Sequence, residues 1–326
     1  MLARRHLIAA AASLPAAALP VLVRPAVAQE PFSAFLAGLR QDALRAGIDR
    51  ATLDAAFAGV RPNPKVLELD HHQAEFTLTW AQYRAKLVTP QRIGNGRDVL
   101  ATRRGLLTAV DSRFRVTVGV IMGIWALESS YGATAGSYNL IEALSTLAWD
   151  GRRSGYFRGE LINALRILQH GDVTKPAMTS GWAGAMGQPQ FMPSSYLRYA
   201  VDFDGDGRRD IWRSTPDVVG SIANYLAKFG WRYGEPWGQP VTLPPGFDAG
   251  LAGRDNRRPL EEWMRLGVRR EDGSAFSRGD IPGALILPDG AGGEAFMTYA
   301  NFNAIRRYNP SDFYALAVGL IGDGVA

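Results

Sequence analysis

Apolar residues recur at the spacing of one helix face through most of the chain. Two such sets are Phe32, Phe35, Leu36 and Leu39, and Leu161, Leu165 and Leu168. This period predicts that residues 29–235 are mainly helical.

The pattern changes at about residue 236. The stretches PVTLPPGF and GALILPDG place short extended pieces between proline and glycine turns. Residues 236–295 are therefore predicted to form a small β-containing insert. Helical spacing returns afterwards, and residues 296–326 are predicted to fold back onto the helical core. The predicted fold class is α+β, mainly α.

The N-terminal 28 residues have the pattern of a cleaved secretory signal. Two adjacent arginines precede a stretch rich in Ala and Leu, which ends in Ala-Val-Ala. The alternative is a membrane-spanning helix, which Pro15, Pro20 and Arg24 disfavour because they interrupt the segment. The arginine pair leaves both the general secretory and the twin-arginine export routes open.

The amino-acid composition indicates the cellular compartment and the classes of binding partner. The 326 residues have 47% hydrophobic content and no cysteine, so a sizeable core forms without disulfides or a lipid-modified cysteine. In an exported chain this is typical of a soluble bacterial periplasmic enzyme, expected here as a monomer without a membrane anchor. There are 36 Lys and Arg against 31 Asp and Glu, and three of the arginines lie in the predicted signal. The rest of the chain is nearly neutral, which gives no reason to expect that it binds nucleic acid.

Several common catalytic sites are excluded. With four histidines, no cysteine and no HExxH motif, a catalytic zinc ion lacks a ligand set. No G-x-S-x-G motif indicates a serine hydrolase. The segment GAGGEA, residues 290–295, only loosely matches a dinucleotide fingerprint and lacks the surrounding βαβ pattern.

Glu128 follows an apolar run that contains no charged residue. Residues 116–127 read VTVGVIMGIWAL, which predicts a buried helix with the carboxyl at its end. Burial disfavours the charged form and raises the pKa, so this group can remain protonated near neutral pH and donate a proton to a leaving oxygen. The alternative is a glutamate at a helix end that points to water.

The stretch GWAGAMGQPQFMPSSY, residues 181–196, combines small residues with two amides before a Pro-Ser-Ser helix start. Small residues allow a bulky ligand to approach the backbone, and Gln188 and Gln190 offer the donors and acceptors that acetamido sugars need. The alternative is a tight structural turn.

The stretch DFDGDGRRDIW has the spacing of a calcium loop. Asp202, Asp204, Asp206 and Asp210 occupy positions 1, 3, 5 and 9, and Arg208 occupies position 7. Position 12 is Arg213 instead of the usual Glu, so Asp217 is predicted to complete the ligand shell. The predicted metal set is Asp202, Asp204, Asp206, Arg208 and Asp217, and a solvated acidic turn is the alternative.

Taken together, these stretches resemble one family. The segments ALESSYG, EALSTLAWDGRRSGYFRGEL, GWAGAMGQPQFMPSSYLRYAVDFDGDGRRDIW, VGSIANYLAKFGW and NFNAIRRYN occur in the order and spacing of the membrane-bound lytic murein transglycosylase B type, glycoside hydrolase family 103. The resemblance covers nearly all of the chain after the signal. It implies a lysozyme-like helical core, an added helical domain, a small β domain and a structural calcium ion, with no cofactor for catalysis.

The resemblance also implies an activity, which is cleavage of the β-1,4 bond between N-acetylmuramic acid and N-acetylglucosamine in peptidoglycan without water. Glu128 matches the single catalytic acid, which then acts as the base while the 1,6-anhydro product forms. The family positions that line the sugar groove match Tyr83, Gln190, Tyr225, Asn301 and Tyr308. Tyr156 is another candidate for the groove, and its alternative, as an aromatic residue on a helix, is a place in the core. Besides glycan strands, cell-wall synthesis proteins are candidate partners.

One position departs from the family pattern. Relatives often have Ser immediately before the aromatic residue of WAGAMG, whereas this chain has Gly181, with Ser180 one residue earlier. Ser180 is the candidate for the same role. Two alternatives to the transglycosylase stay open, a lysozyme-like hydrolase and an inactive wall-binding protein.

Overall fold

Thirteen α-helices and seven short strands make up the part of the chain that the structure describes, which is residues 30–72, 78–134 and 136–326 of a computed structural model. The predicted signal, residues 1–28, lies outside the described residues. The helices are α1 (Phe32–Arg45), α2 (Arg50–Phe57), α3 (Pro64–His71), α4 (Trp80–Leu87), α5 (Pro90–Phe114), α6 (Val118–Ser129), α7 (Leu140–Asp150), α8 (Ser154–His170), α9 (Pro193–Tyr199), α10 (Thr215–Lys228), α11 (Leu260–Arg265), α12 (Ala300–Tyr308) and α13 (Asp312–Val325). The strands are β1 (Tyr138–Asn139), β2 (Thr179–Ser180), β3 (Gly238–Thr242), β4 (Arg258–Pro259), β5 (Arg269–Arg270), β6 (Pro282–Ile286) and β7 (Ala295–Thr298). This mainly helical architecture with a small sheet confirms the predicted fold class.

The helices pack around two apolar cores. Helices α4, α5, α6, α10, α12 and α13 form the first core, and α1, α2, α3, α7, α8 and α9 form most of the second. Helix α6 is central to the first core because every residue from Val120 to Ala126 is buried. The predicted buried helix before Glu128 is therefore present.

Helix α6 packs directly along the C-terminal helix α13 through glycines. A Cβ atom added to Gly322 would lie 2.6 Å from the carbonyl oxygen of Gly119, and one added to Gly123 would lie 2.2 Å from that of Val318. Such backbone contact requires residues without a side chain. The two helices therefore approach more closely than larger residues would allow.

A five-stranded antiparallel sheet forms the β unit of the chain, in the order β4-β6-β7-β3-β5. It packs with α11 around a third core that includes Val241, Trp263 and Met297. Strand β7 ends at Thr298, three residues beyond the predicted end of the insert, because Phe296, Met297 and Thr298 still pair with β3.

The β unit also holds the short helix α4 in place. The two carboxylate oxygens of Asp289 accept the backbone N–H groups of Trp80 and Ala81 at 2.6 and 2.9 Å. Glu294 accepts the indole N–H of Trp80 at 2.6 Å and forms an ion pair with Arg84. Acidic groups at the first amides of a helix satisfy its free donors and favour its dipole. The position of α4 thus depends on the turn between β6 and β7.

Within the described residues, the helices are too short or too polar for any of them to cross a lipid bilayer.

Candidate active site

Glu128 lies in the last turn of α6, and its side chain is only partly exposed. Helix α6 ends at Ser129, and the next two residues, Ser130 and Tyr131, both have left-handed backbone conformations with φ of 49° and 59°. Non-glycine residues rarely adopt this conformation, and where they do it often marks a functional site. Burial raises the pKa of Glu128 to about 7, against a smaller lowering by a hydrogen bond from Tyr314. The carboxyl is therefore close to half protonated at neutral pH.

Tyr314, in the first turn of α13, is the hydrogen-bond partner of Glu128. Its hydroxyl donates to Oε1 of Glu128 at 2.6 Å. The other carboxylate oxygen, Oε2, accepts no hydrogen bond from any residue in the described ranges. Tyr314 therefore fixes the orientation of the carboxyl and leaves Oε2 available for the acidic proton.

Two further tyrosines face Glu128 from different helices. Burial and the charge of Glu128 raise the pKa of Tyr83 on α4 and of Tyr308 at the end of α12. The hydroxyl of Tyr308 donates to the carbonyl oxygen of Pro189 at 2.6 Å. Three tyrosines from α4, α12 and α13 thus surround the carboxyl, and none of them adds a charge at neutral pH.

Tyr225 on α10 belongs to an aromatic cluster beside this site. Its ring centroid lies 4.8 Å from that of Tyr308 and 5.6 Å from that of Phe191. Tyr225 is 8% exposed, and its hydroxyl donates to the carbonyl oxygen of Arg307. It therefore supports Tyr308, while its own ring is largely enclosed.

Gln190 also belongs to the loop that reaches Tyr308. Its backbone is left-handed with φ of 51°, and its side-chain Nε2 donates to the carbonyl oxygen of Gly187 at 2.7 Å. A Cβ atom on Gly181 would lie 3.3 Å from Oε1 of Gln190. The loop thus directs the amide of Gln190 toward Gly181, and Oε1 accepts no hydrogen bond from the part of the chain that the structure describes.

Gln188 has a structural role instead. Its Oε1 accepts the indole N–H of Trp125 at 2.9 Å, and its Nε2 donates to the carbonyl oxygen of Trp212 at 3.0 Å. Both ends of this amide are therefore occupied, and it is not free to contact a sugar. Gln188 connects α6, three residues before Glu128, with the segment that follows the acidic loop.

The acidic loop brings three carboxylates together. Oxygen atoms of Asp202, Asp204 and Asp217 lie within 4.8 Å of one another. Asp217 is fully buried and accepts the backbone N–H groups of Phe203 and Asp210, each at 2.7 Å. Burial raises its pKa to about 6. Hard carboxylate oxygens at this spacing fit the ligand preference of Ca²⁺.

Comparison with known proteins identifies the family. Residues 31–323 match the transglycosylase SLT domain. The chain belongs to this transglycosylase family. A curated relative, the membrane-bound lytic murein transglycosylase B of Escherichia coli (strain K12), is 32% identical over 302 residues, which cover 86% of this chain and 79% of that protein.

Solved structures of transglycosylases have the same fold. SltB3 from Pseudomonas aeruginosa, in complex with NAG-anhNAM-pentapeptide, matches with a TM-score of 0.88 and 46% identity, over 90% of this chain and 79% of that one. The Escherichia coli lytic transglycosylase Slt35, in complex with calcium, matches with a TM-score of 0.75 and 30% identity, over 90% and 92% of the two chains. The chain is therefore a lytic transglycosylase of lysozyme-like architecture.

Two residues expected in the sugar groove are fully buried, whereas Tyr156 is exposed and stays a prediction. Ser180 is fully buried in the β1–β2 pair, so its hydroxyl cannot reach a sugar. Asn301 is also fully buried, and its amide binds the backbone of Arg232 and Glu235. Tyr156 is 52% exposed but lies on α8 against Phe157, and no contact joins it to Glu128 within the described residues.

The structure brings three of the predicted metal residues together, Asp202, Asp204 and Asp217. The carboxylate of Asp206 accepts the backbone N–H of Arg208, and that of Asp210 accepts those of Trp212 and Arg213. Neither belongs to the group of three carboxylates. Arg208, at position 7, would offer its backbone carbonyl oxygen instead of a side chain. Asp202 and Asp217 also accept backbone N–H groups, so these bonds do not separate metal ligands from turn residues, and Asp206 and Arg208 stay predicted ligands.

Tyr314 is the residue that sequence reasoning missed. A hydroxyl in the first turn of the apolar helix α13 is a signal of the same kind as Glu128 at the end of α6. The pairing itself joins residues 186 positions apart. Nothing in the local pattern of either segment indicates that these two helices pack together.

We expect Tyr314→Phe to shift the pH profile of activity upward. Its hydrogen bond lowers the pKa of Glu128, so its loss raises that pKa above 7 and moves the alkaline decline to higher pH. The maximal rate should fall by about tenfold, since a charge-assisted hydrogen bond orients the acid. The measurement is the initial rate of fragment release from peptidoglycan between pH 5 and 9.

A control variant removes a hydroxyl elsewhere. Tyr233 is exposed and stacks under the guanidinium of Arg115, so Tyr233→Phe should leave the profile unchanged. A Tyr314→Phe profile identical to the wild type would contradict the proposed orientation of Glu128.

Proposed function

We propose that this transglycosylase cleaves the β-1,4 bond between N-acetylmuramic acid and N-acetylglucosamine with Glu128 as its only catalytic acid and base. The observation that carries the proposal is the setting of Glu128, whose carboxyl is partly buried, held by Tyr314 and has a pKa raised to about 7. A group that must donate and then accept a proton works best with a pKa near the ambient pH.

In the first step, the protonated Oε2 of Glu128 donates its proton to the glycosidic oxygen, and the bond from that oxygen to C1 of the muramic acid breaks. The N-acetylglucosamine side leaves as an alcohol. The substrate's own acetamido group stabilises the positive charge that develops at C1. In the second step, the Glu128 carboxylate takes the proton of the C6 hydroxyl, and the C6 oxygen bonds to C1. The product has a 1,6-anhydro end, and Glu128 returns to its protonated state without consuming water.

The charge environment supports a mechanism with one carboxyl. Common retaining and inverting glycosidases use two carboxyl groups on either side of the bond. No acidic or basic side chain in the described residues shifts the pKa of Glu128. The polar group in contact with its carboxyl is the hydroxyl of Tyr314, which cannot act as a second carboxylate.

The surrounding groups suit an acetamido sugar. We assign the hydrogen bonds to the N-acetyl group to Gln190, whose Oε1 points toward the open position at Gly181. Tyr83 and Tyr308 bracket the glycan at the acid, with Tyr225 supporting Tyr308. The reference for this assignment is SltB3, whose structures contain NAG-anhNAM-pentapeptide and NAG-NAM-pentapeptide.

The test is mass spectrometry of the soluble fragments that the protein releases from purified peptidoglycan. Anhydro ends, lighter than reducing ends by one water, are the expected product. Reducing ends would replace the proposal with hydrolysis, and the absence of fragments from a folded sample would indicate a binding role.

We further propose that Asp202, Asp204 and Asp217 hold a structural Ca²⁺ ion. The three carboxylates converge, and the related Slt35 structure is a complex with calcium. The ion would neutralise like charges in the loop, but it would take no part in the reaction. Trp212, just after this loop, accepts a hydrogen bond from Gln188, so the ion stabilises the loop that carries Gln190.

Calcium at saturating concentration should raise the melting temperature by several degrees. A ligand at a hundred times its Kd stabilises a protein by about 2.7 kcal/mol. Asp204→Asn should remove most of this shift. Asp255→Asn makes the same charge change at an exposed aspartate outside the loop and should retain it. A melting temperature that is equal with calcium and with chelator would refute the site.

We place the reaction in the periplasm. The predicted signal and the absence of cysteine support export, and peptidoglycan lies outside the cytoplasmic membrane. Detection of the processed chain in the periplasmic fraction is the direct test.

A further inference from the structure

A cavity of about 340 Å³ opens in the β unit, away from Glu128, where the loop after α10 meets the sheet. Its apolar lining comes from Pro236, Leu260, Phe276 and Ile281. This volume lies within the usual range for a small-molecule or peptide side-chain site. The catalytic mechanism uses none of these residues.

One end of the cavity carries hydrogen-bond donors. The hydroxyl of Tyr299 accepts a hydrogen bond from Nε2 of Gln239, and within the described residues it donates its own proton to no acceptor. Tyr299 is 3% exposed, so a buried O–H donor without an acceptor faces a lined cavity. A buried donor of this kind favours a ligand that brings an acceptor.

Arg270 on β5 lies at the same end. Both Arg270 and Tyr299 line the cavity, and the charge of Arg270 lowers the pKa of Tyr299 against the larger effect of burial. The guanidinium of Arg270 makes no ion pair or hydrogen bond with the parts of the chain that the structure describes. The other cavity arginine, Arg278, is different, since it pairs with Asp280 at 2.7 Å. Arg270 is thus a cation without an ion-pair partner in the described residues, although its charge contributes to the lowered pKa of Asp272, after the hydrogen bonds from Ser274.

Glu235 also lines the cavity and places a negative charge there, opposite in sign to that of Arg270. Its carboxylate is 3.6 Å from Arg232 and remains partly exposed. An inorganic anion would be repelled by Glu235. A peptide chain end fits both charges, because its carboxylate suits Arg270 and its N–H groups suit Glu235.

The lining favours a peptide over a sugar. Sugar rings stack on exposed aromatic faces, whereas Phe276 and Tyr299 are 6% and 3% exposed. Aliphatic walls with an arginine and a tyrosine hydroxyl at one end suit an apolar side chain next to a carboxylate. Under the proposed function, the glycan strands that reach this protein carry peptides, as the pentapeptide in the SltB3 ligands does.

We propose that this cavity is a second substrate site, which binds the carboxylate end of a peptide attached to the glycan. The proposal rests on the proposed function for its substrate class. Arg270 and the hydroxyl of Tyr299 bind the carboxylate, and the apolar walls hold the adjoining side chain. The β unit then positions the strand through its peptides, while the tyrosines around Glu128 bind the sugars.

One helix joins the two sites. Tyr299 directly precedes α12, and Tyr308 at the other end of this helix lies beside Glu128. Nine helical steps separate the two tyrosines by about 14 Å. A rigid helix thus connects the peptide site to the glycan site.

The test uses an N-acetylated pentapeptide without sugars and the same peptide with a C-terminal amide, titrated into the full chain by calorimetry or NMR. We expect saturable binding of the free acid and about tenfold weaker binding of the amide. Arg270→Gln should weaken binding of the acid about tenfold and of the amide very little, so the two changes are not additive. Tyr299→Phe should weaken binding of the free-acid peptide severalfold.

Arg265→Gln is the matched control. It removes the same charge from α11, where Arg265 pairs with Glu261, and should leave both affinities unchanged. A wild type that does not bind the peptide, or an Arg270→Gln variant that binds the acid as tightly as the wild type, would overturn the proposal.

Kinetics separate this proposal from the proposed function. In Arg270→Gln, the KM for peptide-bearing strands should rise relative to the KM for strands from which an amidase has removed the peptides. An equal ratio in wild type and variant would contradict the second site. If the wild type releases no anhydro ends but binds the peptide acid selectively, the enzymatic proposal fails and the peptide site stands.

Discussion

Glu128→Gln is expected to lower the release of anhydro fragments by about 10³-fold or more. General acid–base catalysis contributes about 10² to 10⁴ in rate, and Glu128 performs both proton transfers. A glutamine keeps the size of the side chain and can still accept the hydrogen bond from Tyr314, but it holds no transferable proton.

The measurement is the initial rate of soluble fragment release from peptidoglycan, with fragments identified by mass. Glu68→Gln is the control, since Glu68 is exposed on α3 and pairs with Lys65; it should behave as the wild type. Persistence of more than a few per cent of the wild-type rate in a folded Glu128→Gln sample would refute the role of this residue.

The same substitution should make the protein more stable at alkaline pH. Burial raises the pKa of Glu128 from 4.5 to about 7, so the folded state keeps a proton that the unfolded chain has released. Stability therefore falls as the pH rises from 4.5 to 7, and above pH 7 the ionised carboxylate costs about 3 kcal/mol. Glutamine carries no charge and avoids this cost.

Thermal melting between pH 4 and 8 measures the effect. The melting temperature of Glu128→Gln should exceed that of the wild type by several degrees at pH 8 and equal it at pH 4. Glu68 is again the control, since its hydrogen bond with Lys65 lowers its pKa, so Glu68→Gln should not be stabilising at pH 8. A constant difference between wild type and Glu128→Gln at all pH values would mean that burial does not raise the pKa of Glu128.

The sequence allowed the acid to be found because its signal is local. An uncharged apolar run that ends in a carboxyl predicts both the buried helix and the raised pKa, and both are present in α6. The donor to that carboxyl was not predictable, since Tyr314 approaches through the packing of two helices distant in the chain. The strand order of the sheet was hidden for the same reason.

Asn301 was expected to line the sugar groove from the motif alone, without regard to which face of helix α12 it lies on. Residues three and four positions apart share a helix face, and Asn301 shares its face with Ala304 and Ile305, all of them buried. Asn303 lies on the exposed face of α12. The helical spacing of these residues therefore already predicts that Asn301 points into the core.

The acidic loop shows a limit of spacing arguments. Alternate aspartates can bind a metal ion or their own backbone, and sequence alone does not distinguish the two. In the structure, Asp206, Asp210 and Asp217 all accept backbone N–H groups, and the carboxylate of Asp217, from the following helix, also converges with those of Asp202 and Asp204. The choice depends on the fold of the turn and on how α10 packs against it.

The glycine contacts between α6 and α13 make the acid and its tyrosine part of one rigid body. Gly123 meets the backbone of Val318, which lies one turn after Tyr314, so the backbone itself sets the separation of the two functional groups. A preorganised site needs little rearrangement while charge moves. We therefore expect the distortion along the reaction path to fall on the sugar ring, with the protein acting as a nearly fixed template.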